Sequence, residues 1–538
     1  MNSTKHVAVL SSLLLILGMG VVRADEWPGG QPVPNSFGAV LTDNGMNTIS
    51  QEFSQYLTLE MVRDMMFASN PVVDIDEWWG SAYAEITGVY FSYPASVFTD
   101  VTSGGVYLDA RLSNIDIDLH LDGDVIGIGY SLSGDMIATR IRAEGLLTAW
   151  LQNGQVRVGL DITNIGLVNP QIRINGWPSW LQWVIDLIFD LIQGTLIDTV
   201  SSMLESELPP VLEELLNSLP FSYQFELMGY LIDLVTEPSD IIFRQASMGI
   251  WLGADVSVTP SDPCVPPEAG SYYTPSNRIN YQPTTPVGGV PYEVAIVLGD
   301  DAINRILYAV QNSGLLCLTI DEQFLADMGF PYGFTSELFG MLVPRLHDYA
   351  VNAPMLLDLR MQHAPIVHVN PVGSEYMLTL TAEEIYMDFY IYAMDRWMRL
   401  LTFDGTINNA SLSLDVTLEN SIHIEISDEI DVTTEVIFDE LLQLTDAERT
   451  LVESYIPGLL QFIVPLLTAV LEDIPIPTFE GYGVQVVEVS QHGTAHDWIG
   501  LFGNLIITDP GQEFLLDCRQ PGNLSQPLHA PNTLHALK

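Results

Sequence analysis

The sequence has little positive charge. It contains 18 lysines and arginines against 68 aspartates and glutamates, for a net charge of −50, and Lys538 is its only lysine after residue 24. A surface of this kind repels phosphate groups, which argues against nucleic-acid binding and against docking on anionic membrane patches by charge neutralisation. Acid-rich surfaces suit high salt, where repulsion between like charges is screened. We therefore predict no nucleic-acid partner and a saline setting for this acidic protein.

Cysteine is almost as scarce. Three cysteines in 538 residues cannot form a disulfide scaffold. Cys317 lies in an apolar run, which is typical of a buried thiol. Cys264 and Cys518 lie in polar segments, so this pair is the candidate disulfide if the protein is exported.

Motifs for metal, nucleotide or hydrolytic chemistry are also missing. The ten histidines form no His-Glu-x-x-His pattern, the cysteine spacing fits no zinc site, and no glycine-rich phosphate loop stands out. The run Gly129-Tyr-Ser-Leu-Ser resembles a nucleophile elbow only loosely, because Ser133 stands where the second glycine belongs. We predict no catalytic residue, no metal and no cofactor.

One acidic run nevertheless raises the question of calcium. Over residues 114–124, four aspartates and His120 alternate with aliphatic side chains. An EF-hand loop bends and carries a glutamate at its twelfth position, which this run lacks. Strict alternation favours a strand with one solvated acidic face and one buried aliphatic face. A cation site on the acidic face is the alternative.

The beginning of the chain predicts a cleaved secretory signal over residues 1–24. Lys5 and His6 precede the apolar run 7–19, and small residues at positions 22 and 24 suit cleavage. The apolar run is short for a membrane span. We therefore predict a secreted, periplasmic or extracellular protein.

The remaining chain is divided by a proline-rich linker, residues 256–291, which holds eight prolines. The same order of elements is predicted on either side: a short amphipathic helix (46–67 and 301–311), alternating strands, and a long apolar helix starting near residues 180 and 445. This order predicts an α+β unit that occurs twice. The predicted parts are an N-terminal unit over 25–255, the linker over 256–291, a C-terminal unit over 292–508 and an irregular tail over 509–538.

The long apolar stretch "WPSWLQWVIDLIFDLIQGTLIDTV" (177–200) is long enough to cross a bilayer. Asp186 and Asp190 lie on one side of the predicted helix, and apolar residues fill the remaining faces. Each central aspartate would cost about 2.5–3.5 kcal/mol in a membrane span. The pattern therefore favours a soluble central helix that is embraced by a curled sheet, which could leave an apolar tunnel beside it.

Five segments in this order resemble a known family. They are "WLQWVIDLIF" (180–189), "DAINRILYAVQNSGLL" (301–316), "ELFGMLVPRL" (337–346), "YIPGLLQFIVPLL" (455–467) and "IPIPT" (474–478). Together they resemble the tubular lipid-binding superfamily. The greatest similarity is to the family of the bactericidal permeability-increasing protein, the lipopolysaccharide-binding protein and the plasma lipid-transfer proteins, and it covers roughly residues 40–508. Each segment is degenerate, so the resemblance rests on their order and spacing.

The resemblance implies a boomerang of two tandem tubular units. Each unit would wrap a strongly twisted antiparallel sheet around a long helix, with a central sheet between the units. It also implies non-enzymatic binding or transfer of phospholipids or similar acyl lipids, with transient contact to membranes or lipid particles; it leaves the oligomeric state open. Two rival functions remain: a structural or adhesion protein whose pockets are filled by side chains, and a lipid-acting hydrolase.

Two features depart from the family. No cysteine precedes Cys264, so the family's disulfide in the N-terminal unit is missing. Residues 25–253 contain seven arginines and no lysine, so the basic tip of lipopolysaccharide-binding members is missing too. We therefore do not expect an endotoxin-binding role. Lipid carriage depends on the apolar interior and is still expected.

The predicted lipid-contact residues are apolar positions on the helices of both units. A plain core stripe is the alternative for each of them, although methionine suits a pocket for varied acyl chains. The predicted residues are Leu57, Met61, Met65, Ile185, Phe189 and Ile192 in the first unit, and Ile306, Val310, Ile463 and Leu467 in the second.

Overall fold

The structure is a computed structural model. The predicted signal and most of the predicted tail lie outside the residues that it describes. The described residues are 26–56, 59–77, 80–125, 127–176, 182–217, 222–227, 229–274, 281–327, 334–340, 343–348, 351–416, 421–460, 474–475, 482–493 and 497–507.

The described chain is mostly antiparallel sheet with a few helices, as the predicted α+β class requires. The helices are α1 (Asp43–Tyr56), α2 (Leu59–Ala68), α3 (Gln182–Asn217), α4 (Asp300–Ser313), α5 (Glu322–Asp327), α6 (Ser336–Gly340) and α7 (Asp446–Leu460), with a 3₁₀ helix at Pro344–Asp348. The strands before the linker are β1 (Glu26–Pro28), β2 (Val33–Thr42), β3 (Val73–Glu77), β4 (Gly80–Thr102), β5 (Gly105–Val125), β6 (Ile128–Gln152), β7 (Gln155–Val168), β8 (Gln171–Ile174), β9 (Ser222–Leu227), β10 (Tyr230–Arg244) and β11 (Ser247–Thr259). The remaining strands are β12 (Gly270–Tyr272), β13 (Val294–Gly299), β14 (Cys317–Ile320), β15 (Met355–Met361), β16 (Ile366–Val369), β17 (Leu378–Ala393), β18 (Arg396–Val416), β19 (Ser421–Phe438), β20 (Ile474–Pro475), β21 (Tyr482–His492) and β22 (Trp498–Ile507).

These strands form three large sheets. The N-terminal sheet has the order β3-β4-β5-β6-β7, with β8 beside β6. The C-terminal sheet has the order β14-β15-β17-β18-β19-β20, with β16 beside β17. The central sheet has the order β21-β22-β13-β2-β11-β10-β9, so it takes strands from both sides of the proline-rich segment. β1 and β12 form a separate pair. The tandem units, their boundaries and the boomerang outline stay predictions.

Strand β5 shows why the N-terminal sheet has one buried and one solvent-exposed face. Ile115, Ile117 and Leu119 are almost completely buried, whereas Asp116, between the first two, is exposed. Alternate residues of a strand point to opposite faces, so the acidic run lies on the outer face. The strand predicted for residues 114–124 is therefore confirmed.

The helices follow the predicted pattern with one difference. The helix predicted for 301–311 is α4, which is buried on almost all sides. The helix predicted for 46–67 is divided into α1 and α2, and residues 57–58 lie outside the described part. The helix predicted from residue 445 is present as α7 up to Leu460.

The disulfide prediction is wrong. Cys264 is bonded to Cys317, with the two Cα atoms 6.2 Å apart, so it is not available to Cys518, and Cys317 is not a free thiol. The pairing arises because the linker passes the end of α4: the Asp262 backbone N–H donates to the Ser313 carbonyl (2.9 Å), shortly before Cys317 begins β14. Cys518 lies outside the described residues.

Candidate functional site

Helix α3 is the central element of the N-terminal half. Its 36 residues give a length of roughly 54 Å at 1.5 Å per residue. Asp186, Asp190 and Asp198 are exposed, whereas Ile192 and Leu196 are buried. Asp186 and Asp190 therefore lie on an exposed side of the helix, as predicted from the sequence. Of the helices in the described ranges, none has the length and hydropathy that a membrane span requires.

Burial changes along α3. In its second half, Met203, Leu204 and Leu212 are buried. In its first half, Phe189 is only half-buried and Leu191 is 38% exposed. The helix packs mainly along β7, the edge strand of the N-terminal sheet.

The edge of the sheet shows the same change. Val156 and Val158, at the start of β7, are buried, but the apolar residues further along β7 and on β8 are half-buried. The half-buried residues still pack against the buried cluster of the N-terminal sheet. We call the half-buried side chains along this edge, together with those of α2 and α3, the apolar seam. It consists of Met65, Ile162, Ile165, Leu167, Ile172, Ile174 and Phe189.

The apolar seam packs against completely buried apolar side chains, which we call its floor. Met66, Met136 and Ile192 are completely buried in the same cluster, as is Ile117 of β5. A half-buried apolar wall over a buried apolar floor can bury further apolar surface from a ligand. It offers neither a nucleophile nor an acid or base.

The acidic side chains of the run 114–124 lie on the outer face of the N-terminal sheet. His120 Nε2 lies 3.0 Å from Asp122 Oδ2. Burial raises the pKa of Asp116, and the neighbouring carboxylates of Asp135 and Asp118 raise it further. These acids face away from the aliphatic face of β5, so they add no charge to the apolar side chains of the seam.

The predicted contact residues of the first unit fall in different places. Met65 and Phe189 belong to the apolar seam, and Ile192 belongs to its floor. Ile185 is buried on the same helix. Leu57 lies outside the described residues, as does the side chain of Met61. Contact between any of these residues and lipid stays a prediction.

Two of the four predicted contact residues of the second unit lie in a closed core. Ile306 and Val310 are buried in the C-terminal cluster. Helix α4 is fixed to β16 by Asn304, whose side-chain amide donates to the Val367 carbonyl (3.0 Å) and whose Oδ1 accepts from the Val367 N–H (2.7 Å). Ile463 and Leu467 lie outside the described residues.

Sequence reasoning missed the sheet side of the seam. The sequence over 156–174 has the apolar alternation that is typical of strands, but this alternation breaks at Thr163 and Asn164. The structure shows why: the register between β6 and β7 shifts there by one residue, which places Ile162 and Ile165 on the same face. Two apolar residues three positions apart in a strand pattern are the signal that could have found them.

Comparisons with known proteins give a likeness of fold. No family model matches the sequence, and no curated protein matches it. The structure is similar to a crystal structure of lipopolysaccharide binding protein, with a TM-score of 0.47 and 14% sequence identity over 89% of this chain and 100% of that chain. The resemblance found in the sequence is to the same family. A likeness of this size carries no argument about the ligand of this chain.

Proposed function

We propose that this protein is an exported, non-enzymatic carrier of phospholipid or a similar acyl lipid. The observation that supports the proposal is the apolar seam: half-buried aliphatic and aromatic side chains over a fully buried floor. An acyl chain that lies along the seam would complete the burial of these side chains. Transfer between membranes or lipid particles belongs to the same proposal.

The energy of burial is sufficient without a polar anchor. Each buried CH₂ group contributes about 0.8 kcal/mol, so a chain of about sixteen carbons contributes on the order of 10 kcal/mol before the entropy of association is subtracted. Since the seam carries no charge, we expect affinity to depend on acyl-chain length more than on the head group.

A lipid-acting hydrolase has less support. Ser131, the nucleophile of that alternative, lies within β6 opposite Asp122 rather than at a sharp turn between a strand and a helix. Among the described residues, no hydrogen bond joins Ser131 to a histidine. We expect Ser131→Ala to leave any bound lipid chemically unchanged.

Native mass spectrometry, followed by organic extraction and lipid analysis, tests the proposal. We expect the protein to copurify with acyl lipid and to take up a fluorescent fatty acid. The Ile165→Asp variant should lose most of this uptake, because it places a charge in the seam. Val287→Asp, at an exposed valine of the linker, is the matched control and should bind as the wild type does.

The rival structural or adhesion role predicts the opposite result. A protein whose seam is closed by its own side chains would contain no lipid in any preparation and would take up no fatty acid. Equal uptake by the wild type and Ile165→Asp would also contradict the proposed site.

A further inference from the structure

The hairpin between β17 and β18 exposes large apolar side chains at its tip. Met394 is 74% exposed, Trp397 is 45% exposed and Tyr392 is 41% exposed. Tyr392 and Trp397 face each other across the two strands, with their rings edge to face and 5.4 Å between centroids. Exposed groups of this size in one place mark contact surfaces more often than single exposed residues do.

The tip lies at the opposite end of β17 from a contact with the central sheet. Strand β17 begins two residues after Tyr376, whose carbonyl accepts a hydrogen bond from Gln491 of the central sheet (3.4 Å). The strand then runs for 16 residues, or roughly 50 Å at about 3.3 Å per residue, before it reaches the tip. The tip can therefore touch an extended surface while the central sheet stays away from it.

The turn at the tip has an unusual sequence. Met394 and Asp395 both have positive φ angles, 53° and 59°, in a two-residue loop between Ala393 and Arg396. Such loops favour Asn-Gly, and the β6–β7 hairpin indeed uses Asn153 and Gly154. A methionine at positive φ is uncommon, so the hairpin places an apolar side chain at a position where its backbone does not favour one.

The charge at the tip differs from that of the whole chain. Residues 390–401 contain Arg396 and Arg399 but a single acid, Asp395, in a chain with 68 acids and 18 bases. The Arg399 guanidinium stacks 3.9 Å from the centre of the Phe438 ring. Arg396 is exposed beside Trp397. Guanidinium groups bind phosphate, and Trp and Tyr settle where apolar chains meet polar head groups.

We propose that this hairpin tip docks the protein on a neutral phospholipid surface, a step that rests on the proposed lipid-carrying function. Met394 and Trp397 enter the region between head groups and acyl chains, and Arg396 contacts lipid phosphates. A zwitterionic surface is favoured because the net charge of −50 opposes approach to an anionic one.

Cosedimentation with phosphatidylcholine vesicles tests this proposal. We expect the wild type to bind and the double variant Met394→Ser/Trp397→Ser to bind at least about tenfold more weakly, which corresponds to about 1.4 kcal/mol. Trp150→Ser is the matched control, because Trp150 is 47% exposed and lies near the tip of the β6–β7 hairpin. This control should bind as the wild type does. Circular dichroism checks that all variants fold.

Several outcomes would overturn the docking proposal: wild type that does not bind these vesicles, equal binding by the double variant, or an equal loss in Trp150→Ser. Stronger binding to phosphatidylglycerol vesicles than to phosphatidylcholine would overturn the neutral surface. The lipid content of the purified double variant separates the two proposals. Wild-type lipid content with lost vesicle binding supports both, whereas vesicle binding by a protein that never contains lipid supports docking alone.

Discussion

The N-terminal and C-terminal sheets bury their helices to different degrees. Helix α3 packs chiefly along β7, where the apolar side chains beyond Val158 are only half-buried. Helix α4 lies between the central and C-terminal sheets, and the cluster around it takes residues from both. A helix covered by two sheets becomes part of a solid core, whereas the half-buried side chains beside α3 leave apolar surface that the proposed ligand would cover.

Stability and binding should therefore separate between the two regions. Close-packed interiors are sensitive to the loss of even a few atoms, whereas half-buried side chains lose little when they are shortened. Substitutions in the closed core should change the free energy of unfolding. Substitutions in the apolar seam should change lipid uptake at nearly constant stability.

The largest expected effect is that of Phe389→Ala in the closed core. Phe389 is fully buried, and its ring contacts that of Phe403 edge to face, 5.5 Å between centroids. We expect a loss of about 3–5 kcal/mol in the free energy of unfolding, because the substitution leaves a cavity. Urea unfolding followed by circular dichroism measures it. Phe98→Ala, at a half-exposed phenylalanine of β4, should cost much less; similar losses for the two variants would contradict the closed core.

Removal of the disulfide should cause the second largest loss of stability. Cys264 and Cys317 are 53 residues apart in sequence, and closing a loop of this size restricts the unfolded chain. The double variant Cys264→Ser/Cys317→Ser should lose about 2–4 kcal/mol. Peptide mapping without reduction should find the two cysteines joined, and Cys518→Ser should leave stability unchanged. A peptide that joins Cys264 to Cys518 would restore the prediction made from the sequence.

The sequence predicted those features that depend on local periodicity. The acids of β5 alternate with aliphatic residues over 114–124, so the two faces of this part of the strand could be assigned correctly. The spacing of Ile303, Ile306 and Val310 similarly placed α4. These patterns are readable because one face of each element meets a uniform environment.

Features that depend on tertiary contacts could not be predicted. The partner of Cys264 is decided by where the linker passes the end of α4. The sheet side of the seam is set by the register shift near Thr163, and Ile165 is half-buried. A hydrophobic pattern cannot distinguish a half-buried position from a buried one.

A third prediction concerns acids at the helix starts. Asp186 near the start of α3 is exposed, whereas Asp300 in the first turn of α4 is buried. Burial raises the pKa of Asp300 to about 8, and the carboxylates of Asp301 and Asp497 raise it further. The folded state therefore holds a proton that the unfolded state releases near pH 4. Stability should fall as pH rises from about 4 to about 8.

Asp300→Asn removes this pH dependence while it keeps the shape of the side chain. We expect the variant to be more stable than the wild type by about 1–3 kcal/mol at pH 8.5, with a smaller difference at pH 5, since each pKa unit corresponds to about 1.4 kcal/mol at most. Urea unfolding at the two pH values measures the difference. Asp186→Asn should show none. If the difference in stability between Asp300→Asn and the wild type were the same at pH 5 and pH 8.5, this would contradict a buried, protonated Asp300.

The smallest effect on stability is expected for Phe189→Ala in the apolar seam. This variant also tests most directly the difference between the seam and the closed core. Phe189 is half-buried, so its truncation should cost no more than about 1 kcal/mol, compared with about 3–5 for the same change at Phe389. Fatty-acid uptake should nevertheless fall in Phe189→Ala and persist in Phe389→Ala wherever the latter stays folded. If Phe189→Ala proved as destabilising as Phe389→Ala and took up lipid normally, α3 would be a core helix like α4. The open edge of β7 would then be protein surface rather than a binding site.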